Sequence, residues 1–192
     1  MPKPPDPEAF EPIHRGYRLL DPDEPPPVIE ERRNGASNFV FVVDHAGWQI
    51  PRRLDDLGLP QSELRRHVAW DIGGLAVARQ TSSALDAPLI AQNYSRLVID
   101  CNRDPQVATS IATVSEWIEI PGNIGLSESR KATREREIFR PYHDRIEAEL
   151  DLRQKAGRPA ALIAMLRIPT KSAGDSGRSR PPVPIEAGQG FR

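Results

Sequence analysis

The stretch that most constrains this chain is five residues long, Phe39-Val40-Phe41-Val42-Val43. It is β-branched or aromatic throughout and offers no polar residue to a solvent side, so it reads as a strand buried on both faces, the pattern of a central parallel strand. Such a strand needs helices to cover it. Gln61 to Trp70 (QSELRRHVAW) has the spacing of a short amphipathic helix, and after Asp71-Ile72-Gly73-Gly74 the residues Leu75 to Leu85 predict a second, closing near Asp86-Ala87-Pro88. Leu89 to Gln92 and Ser95 to Asp100 predict two further strands. Ser127 is placed to cap a long charged helix to about Ala156, which Pro141 should kink or split. Ala160 to Met165 predicts a last buried strand. Strands alternating with helices make the class α/β, a mixed or mostly parallel sheet flanked by helices.

The ends differ from the middle. Residues 1–36 hold nine of the twenty prolines before residue 31, a composition that buries too little apolar area to offset chain entropy, and they are expected to form a flexible arm. Within it, Phe10 to Ile13 and Tyr17 to Leu20 are apolar enough to dock on the body or on a second subunit. Residues 37–165 form the expected domain. From 166 to 192, Gly, Pro, Ser and Arg supply 15 of the 27 residues without periodicity, and a strand at 160–165 would expose a face and an edge unless something covered it. Residues 101–126 read as a long irregular loop, a length usually kept for function.

With 26 basic and 27 acidic residues, no bulk attraction to nucleic acid or a charged membrane surface is expected. The single cysteine, Cys101, cannot form an internal disulfide, and neither a signal peptide nor a membrane-length apolar run is present, so a cytoplasmic protein is expected. No Gly-rich phosphate loop occurs, and a nucleotide cofactor has no support.

Three of four candidate residues, His45, Asn102 and Arg103, are expected where strands stop, the place at which open α/β sheets bind ligands. His45, in Asp44-His45-Ala46-Gly47, offers a ring nitrogen to a metal or a bond to backbone. Asp71, at the helix interruption, can reach the same crevice or cap the helix that follows. Zinc takes three protein ligands plus water when catalytic, so this pair alone does not make a site. Asn102-Arg103 suits a carboxylate clamp, because a guanidinium fork matches a carboxylate, or Arg103 pairs with Asp100 or Asp104. Tyr142-His143 reads equally as a helix-surface pair or a site. Cys101 reads as a buried small apolar residue rather than a nucleophile.

Taken in order, VVDHAGWQIPRRL, VAWDIGGLAVAR, QNYSRLVIDCNRDP, EIPGNIGLS and FRPYHDRI resemble the N-formylglutamate amidohydrolase family from Phe39 to Met165. The resemblance implies an α/β sandwich similar to zinc carboxypeptidases and hydrolysis of N-formyl or N-acyl amino acids, in amino-acid catabolism. It implies zinc as cofactor with His45 and Asp71 as metal ligands, and Asn102 with Arg103 as binders of the substrate carboxylate. The partner is a small N-acyl amino acid; oligomeric state is left open. Trp48 stands where relatives often carry a small polar residue. After Met165 the family continues with a His-Ser-Phe segment bearing the last metal-binding histidine, and later a glutamate general base; here Leu166-Arg167-Ile168 follows. The chain is therefore expected to be a C-terminally truncated or frame-shifted member, incomplete at its C-terminus. The alternative is an inactive remnant that at most binds small carboxylates.

Overall fold

A computed structural model describes residues 17–166. The apolar run forms strand β2 (Phe39–Val43), inside a four-stranded sheet with β1 (Val28–Glu31), β3 (Leu89–Gln92) and β6 (Ala161–Ala164), in the order β1-β3-β2-β6. β2 runs parallel to β3, with Phe41 opposite Leu89, and parallel to β6, with Phe39 opposite Ala161. β1 lies antiparallel on β3, Val28 opposite Gln92. The class is α/β with a mixed, mostly parallel sheet, as the alternation of elements implied.

Side-chain alternation explains why β2 has no polar residue. Phe41 and Val43, with Leu89 and Ala91 of β3, pack against Leu75 and Ala78 of helix α2 (Gly74–Leu85). Val40 and Val42, with Ile90, face Tyr142 and Ile146 of helix α4 (Arg140–Lys155) on the other side. Each face is covered, so each parity must be apolar. A separate core gathers Leu57, Leu64, Ala69, Tyr94, Leu97, Val98, Ile99, Ile111, Ile120 and Ile138, contributed largely by turns and loops.

Several expectations change. Within residues 1–36, the arm reading does not hold for the described part: Val28–Glu31 is a strand, and Leu19 is 1% exposed in the loop-built core. Prolines here punctuate an ordered path; Tyr94 Oη donates to Pro25 O and Asn93 Nδ2 to Pro26 O. The patch Phe10 to Ile13 lies outside the described residues, as does the tail beyond Leu166. Ser95 to Asp100 is not a strand, because Leu97 N donates to Ser95 Oγ (3.1 Å) and Val98 N to Ser95 O (2.9 Å), turning the chain while Leu97, Val98 and Ile99 stay buried. The first helix, α1, covers only Gln61–Leu64, and the rest of that segment turns so that Val68 and Ala69 are buried.

The long helix is split, as Pro141 required. Helix α3 (Glu128–Arg134), whose Arg130 N donates to Ser127 Oγ, passes into a π-helical stretch, Glu135–Phe139, and then α4, where Pro141 sits in the first turn and its missing N–H is harmless. β6 forms as expected but is not buried: it is the last strand of the sheet, and Leu162 is 45% exposed. The expected loop 101–126 contains a small hairpin of β4 (Val114–Ser115) and β5 (Ile118–Glu119). Among the described residues no helix is long and apolar enough to cross a membrane.

Candidate functional site

The site begins where β2 ends. Asp44 keeps the parity of Val42 and accepts a hydrogen bond from Tyr142 Oη on α4, 2.7 Å, while burial raises its pKa. His45 takes the opposite course. Just beyond it, the backbone of Gly47 lies so close to Asn93 that a Cβ there would fall 1.7 Å from Asn93 O. Only glycine allows this approach. It brings the following residues alongside the segment after β3, where Gln49 bridges Tyr94 and Ser95 N donates to Gln49 O, 2.9 Å.

Two backbone contacts then fold the helix interruption over the same point: Asp71 N donates to His45 O, 2.9 Å, and Ser95 Oγ donates to Ala69 O, 2.7 Å. The outcome is a compact group of four side chains. His45 Nε2 lies 2.7 Å from Asp100 Oδ1, and His45 Nδ1 lies 3.6 Å from Asp71 Oδ2. Arg96 completes it, with Nη1 3.5 Å from His45 Nδ1 and 3.6 Å from Asp71 Oδ1. His45 and Asp71 are buried, 5% and 3% exposed. Burial works to lower the His45 pKa, but the bonds to Asp100 and Asp71 overcome it and lift the value to about 9. Burial opposes ionisation of Asp100 too, yet the His45 bond and the Asn102 backbone N–H hold its pKa below the ordinary carboxylate value.

Asp71 was open to a second use, capping the following helix. The N-cap of α2 is instead Gly73, in the left-handed region at φ 84°, and no side chain caps it. The Asp71 carboxylate faces His45.

The fit to a metal rests on the donors. With Nε2–H held by Asp100, His45 Nδ1 becomes a metal donor only after it gives up the proton it shares with Asp71 Oδ2, which a bound cation would displace. Zinc ligands at about 2.0–2.2 Å in a tetrahedron stand about 3.4 Å apart, so His45 and Asp71 fit as two donors to one ion. Asp100 is placed to fix the orientation of the His45 ring, as a carboxylate behind a metal-binding histidine would. Among the described residues no group of three or more His, Cys, Asp or Glu side chains is arranged to hold a metal.

Asn102 and Arg103 follow Asp100 in the same turn. Asn102 N donates to Asp100 Oδ1 at 2.9 Å, and its side chain is exposed. Arg103 forms the ion pair that sequence left open, Nε to Asp100 Oδ2 at 3.2 Å, and its Nη1 donates to Thr109 Oγ1. These bonds orient the guanidinium without burying it; its side chain stays 52% exposed. His143 Nε2 donates to Cys101 O beside this turn, 2.9 Å, since a carbonyl oxygen only accepts. Tyr142 and His143 are thus inward-facing supports, not a surface pair. Cys101 is 2% exposed, and burial pushes its thiol pKa far up. Trp48, 36% exposed, has the Arg65 guanidinium 4.8 Å above its ring.

Two members of the group, Asp100 and Arg96, were not singled out from sequence as parts of the centre. Asp100 was visible as a strand-end carboxylate two residues before Asn102. Arg96 carried no signal beyond its presence in Ser95-Arg96-Leu97, because nothing local tells which way its guanidinium turns.

The family model of N-formylglutamate amidohydrolase matches residues 37–190, continuing past Met165, where the motifs read from sequence stop. The chain is similar to a gene product of Agrobacterium tumefaciens of known crystal structure, at 36% identity and a TM-score of 0.75. That similarity covers 77% of this chain and 58% of the other, so the chain spans well under two thirds of that relative's length. No curated protein matches it.

Proposed function

Because this chain belongs to the N-formylglutamate amidohydrolase family, we propose that it acts in the hydrolysis of the amide of N-formyl or other N-acyl amino acids, N-formylglutamate being the reference substrate. The observation that carries the reading is the paired use of Asp100. One carboxylate oxygen holds His45 and the other holds Arg103, so a candidate metal-donor pair and a candidate carboxylate clamp are fixed to a single turn.

In this reading His45 and Asp71 hold zinc, which when bound supplies polarisation of the acyl carbonyl and an activated water. Asp100 keeps the His45 Nε2–H in place and the ring in one orientation. Arg103, with Asn102 beside it, binds the α-carboxylate of the amino acid, the guanidinium offering charge and direction. Trp48, stacked under Arg65, narrows the approach. The third metal donor and the general base are not among the described residues. A cytoplasmic setting and a small-molecule substrate follow the same reading.

A second reading is favoured by the fact that two, not three, donors converge among the described residues: a carboxylate binder without turnover. Formate release from N-formylglutamate, assayed with the full chain and zinc, separates the two. Turnover that falls at least about a hundredfold in His45→Ala supports hydrolysis. Absence of turnover, with a melting temperature that rises with N-formylglutamate in the wild type and not in Arg103→Met, supports the binder.

A further inference from the structure

Arg96 is the one member of the four-residue group to which neither the metal nor the carboxylate reading gives a task. Its side chain is 28% exposed, and it is anchored from behind: Nε donates to Val68 O at 2.9 Å and Nη2 to His67 O at 3.1 Å. Those bonds use two of its three nitrogens and leave Nη1 aimed at the pair. The Nη1 distances, 3.5 Å to His45 Nδ1 and 3.6 Å to Asp71 Oδ1, are too long for strong hydrogen bonds. Arg96 therefore acts there as a placed charge rather than as a shared donor.

We propose that Arg96 is a built-in cation that holds the His45–Asp71 pair and competes with a divalent metal for it, thereby setting the metal affinity of the site. The inference rests on the reading of His45 and Asp71 as metal donors. Its physical basis is direct. Asp71 is 3% exposed, and a carboxylate so placed requires positive partners: the His45 ring faces one of its oxygens at 3.6 Å and Arg96 the other at 3.6 Å, so when a metal displaces the His45 proton Arg96 is the cation that stays. Arginine stays charged at every accessible pH, and a second cation brought to the same carboxylate in a poorly solvated setting meets its repulsion. The carbonyls of His67 and Val68 hold the guanidinium in position, so the competition is part of the fold. Glu116, which accepts from Arg66 and His67 at the tip between β4 and β5, braces the segment that supplies these carbonyls.

The test is zinc binding by the full chain, measured by competition with a chromophoric chelator and without substrate, for the wild type, Arg96→Met, Arg96→Gln and the double variant His45→Ala/Arg96→Met. Both single variants should bind zinc about tenfold or more tightly than the wild type, and the double variant should lose that gain. Unchanged or weaker zinc binding in either cooperatively melting single variant overturns the proposal, as does a gain that survives loss of His45. Should neither single variant melt cooperatively, the wild type decides by NMR. Zinc should shift the Arg96 Nε–H resonance, and a titration to saturation that leaves it unmoved overturns the idea. Failure of hydrolysis alongside Arg96-dependent zinc binding removes the hydrolase reading and leaves this one standing.

Discussion

Asp100 Oδ1 lies 2.7 Å from His45 Nε2, joining residues fifty-five positions apart in the chain. The contact fixes Nε2 and the orientation of the ring, leaving Nδ1 toward Asp71, and the other oxygen of the same carboxylate orients Arg103 at 3.2 Å. Asp100→Asn keeps an acceptor for the ring but removes the charge that supports its basicity. Under the proposed role of His45 as a zinc donor, zinc affinity should fall about 10–100-fold, the usual cost of losing the carboxylate behind a metal-binding histidine. Chelator competition on Asp100→Asn and wild type checks this; equal affinities would show that Asp100 serves Arg103 alone.

Gly47→Ala places a methyl group where Asn93 O already stands, 1.7 Å from the position of the new Cβ. Backbone must move, and with it the Gln49–Tyr94 bridge that sets the loop after His45. A loss of about 3 kcal/mol or more of stability is expected, in the range of the severe single substitutions. Denaturant unfolding measures it, and a loss under about 1 kcal/mol would mean that the loop has another low-energy path.

Cys101 should be inert in the native protein. Its side chain is buried, Gln92 Nε2 lies 3.4 Å from Sγ, and burial raises the thiol pKa. Only the thiolate is strongly nucleophilic. A colourimetric thiol reagent should titrate less than a tenth of an equivalent in buffer within the time that denaturant exposes one full equivalent, about the protection that burial gives. Rapid native labelling would contradict the packing described for Cys101.

Glu149 ties α4 to the edge of the sheet. It accepts from Arg145 at 2.8 Å and from Arg153 at 3.0 Å; Arg145 also pairs with Glu30 of β1, and Arg153 donates to Ser37 O. Burial opposes its ionisation, but the two arginines outweigh it and hold its pKa below the ordinary 4.5. A carboxylate depressed on folding contributes stability that is present above its unfolded pKa and is lost as pH falls through the folded one. The stability gap between wild type and Glu149→Gln should therefore be constant from neutrality to about pH 5 and close below pH 4.5. A gap independent of pH down to about 3 would show that shape, not charge, is what Glu149 provides.

How much of this was legible follows from range. Phe39–Val43 declared a doubly covered strand because both parities are apolar, and α2 was legible from Leu75 to Leu85 because its periodicity is local. Val28–Glu31 was not, since four residues ending in two glutamates between Pro27 and Arg32-Arg33 show no pattern; pairing with β3 makes the strand. Ser95 to Asp100 misled in the other direction. Its apolar residues are buried as a strand's would be, but Ser95 Oγ captures Leu97 N and bends the chain into the second core. β6 has a strand's composition, and its exposure comes from being last in the sheet.

The sequence by itself determined the class of the fold and the central strand, and it marked His45 at a strand end, Asp71 at a helix break and Asn102-Arg103 after an apolar run that turns instead of forming a strand, because spacing and composition act over a few neighbouring residues. Tertiary structure alone decided that Asp71 turns to His45 instead of capping α2, that Asp100 serves both His45 and Arg103, and that Arg96, fifty-one residues from His45, brings a fixed positive charge to the pair. Those choices hang on the direction of side chains across long loops. A close backbone passage at Gly47 and two carbonyls at His67 and Val68 set that direction, and no local pattern encodes it.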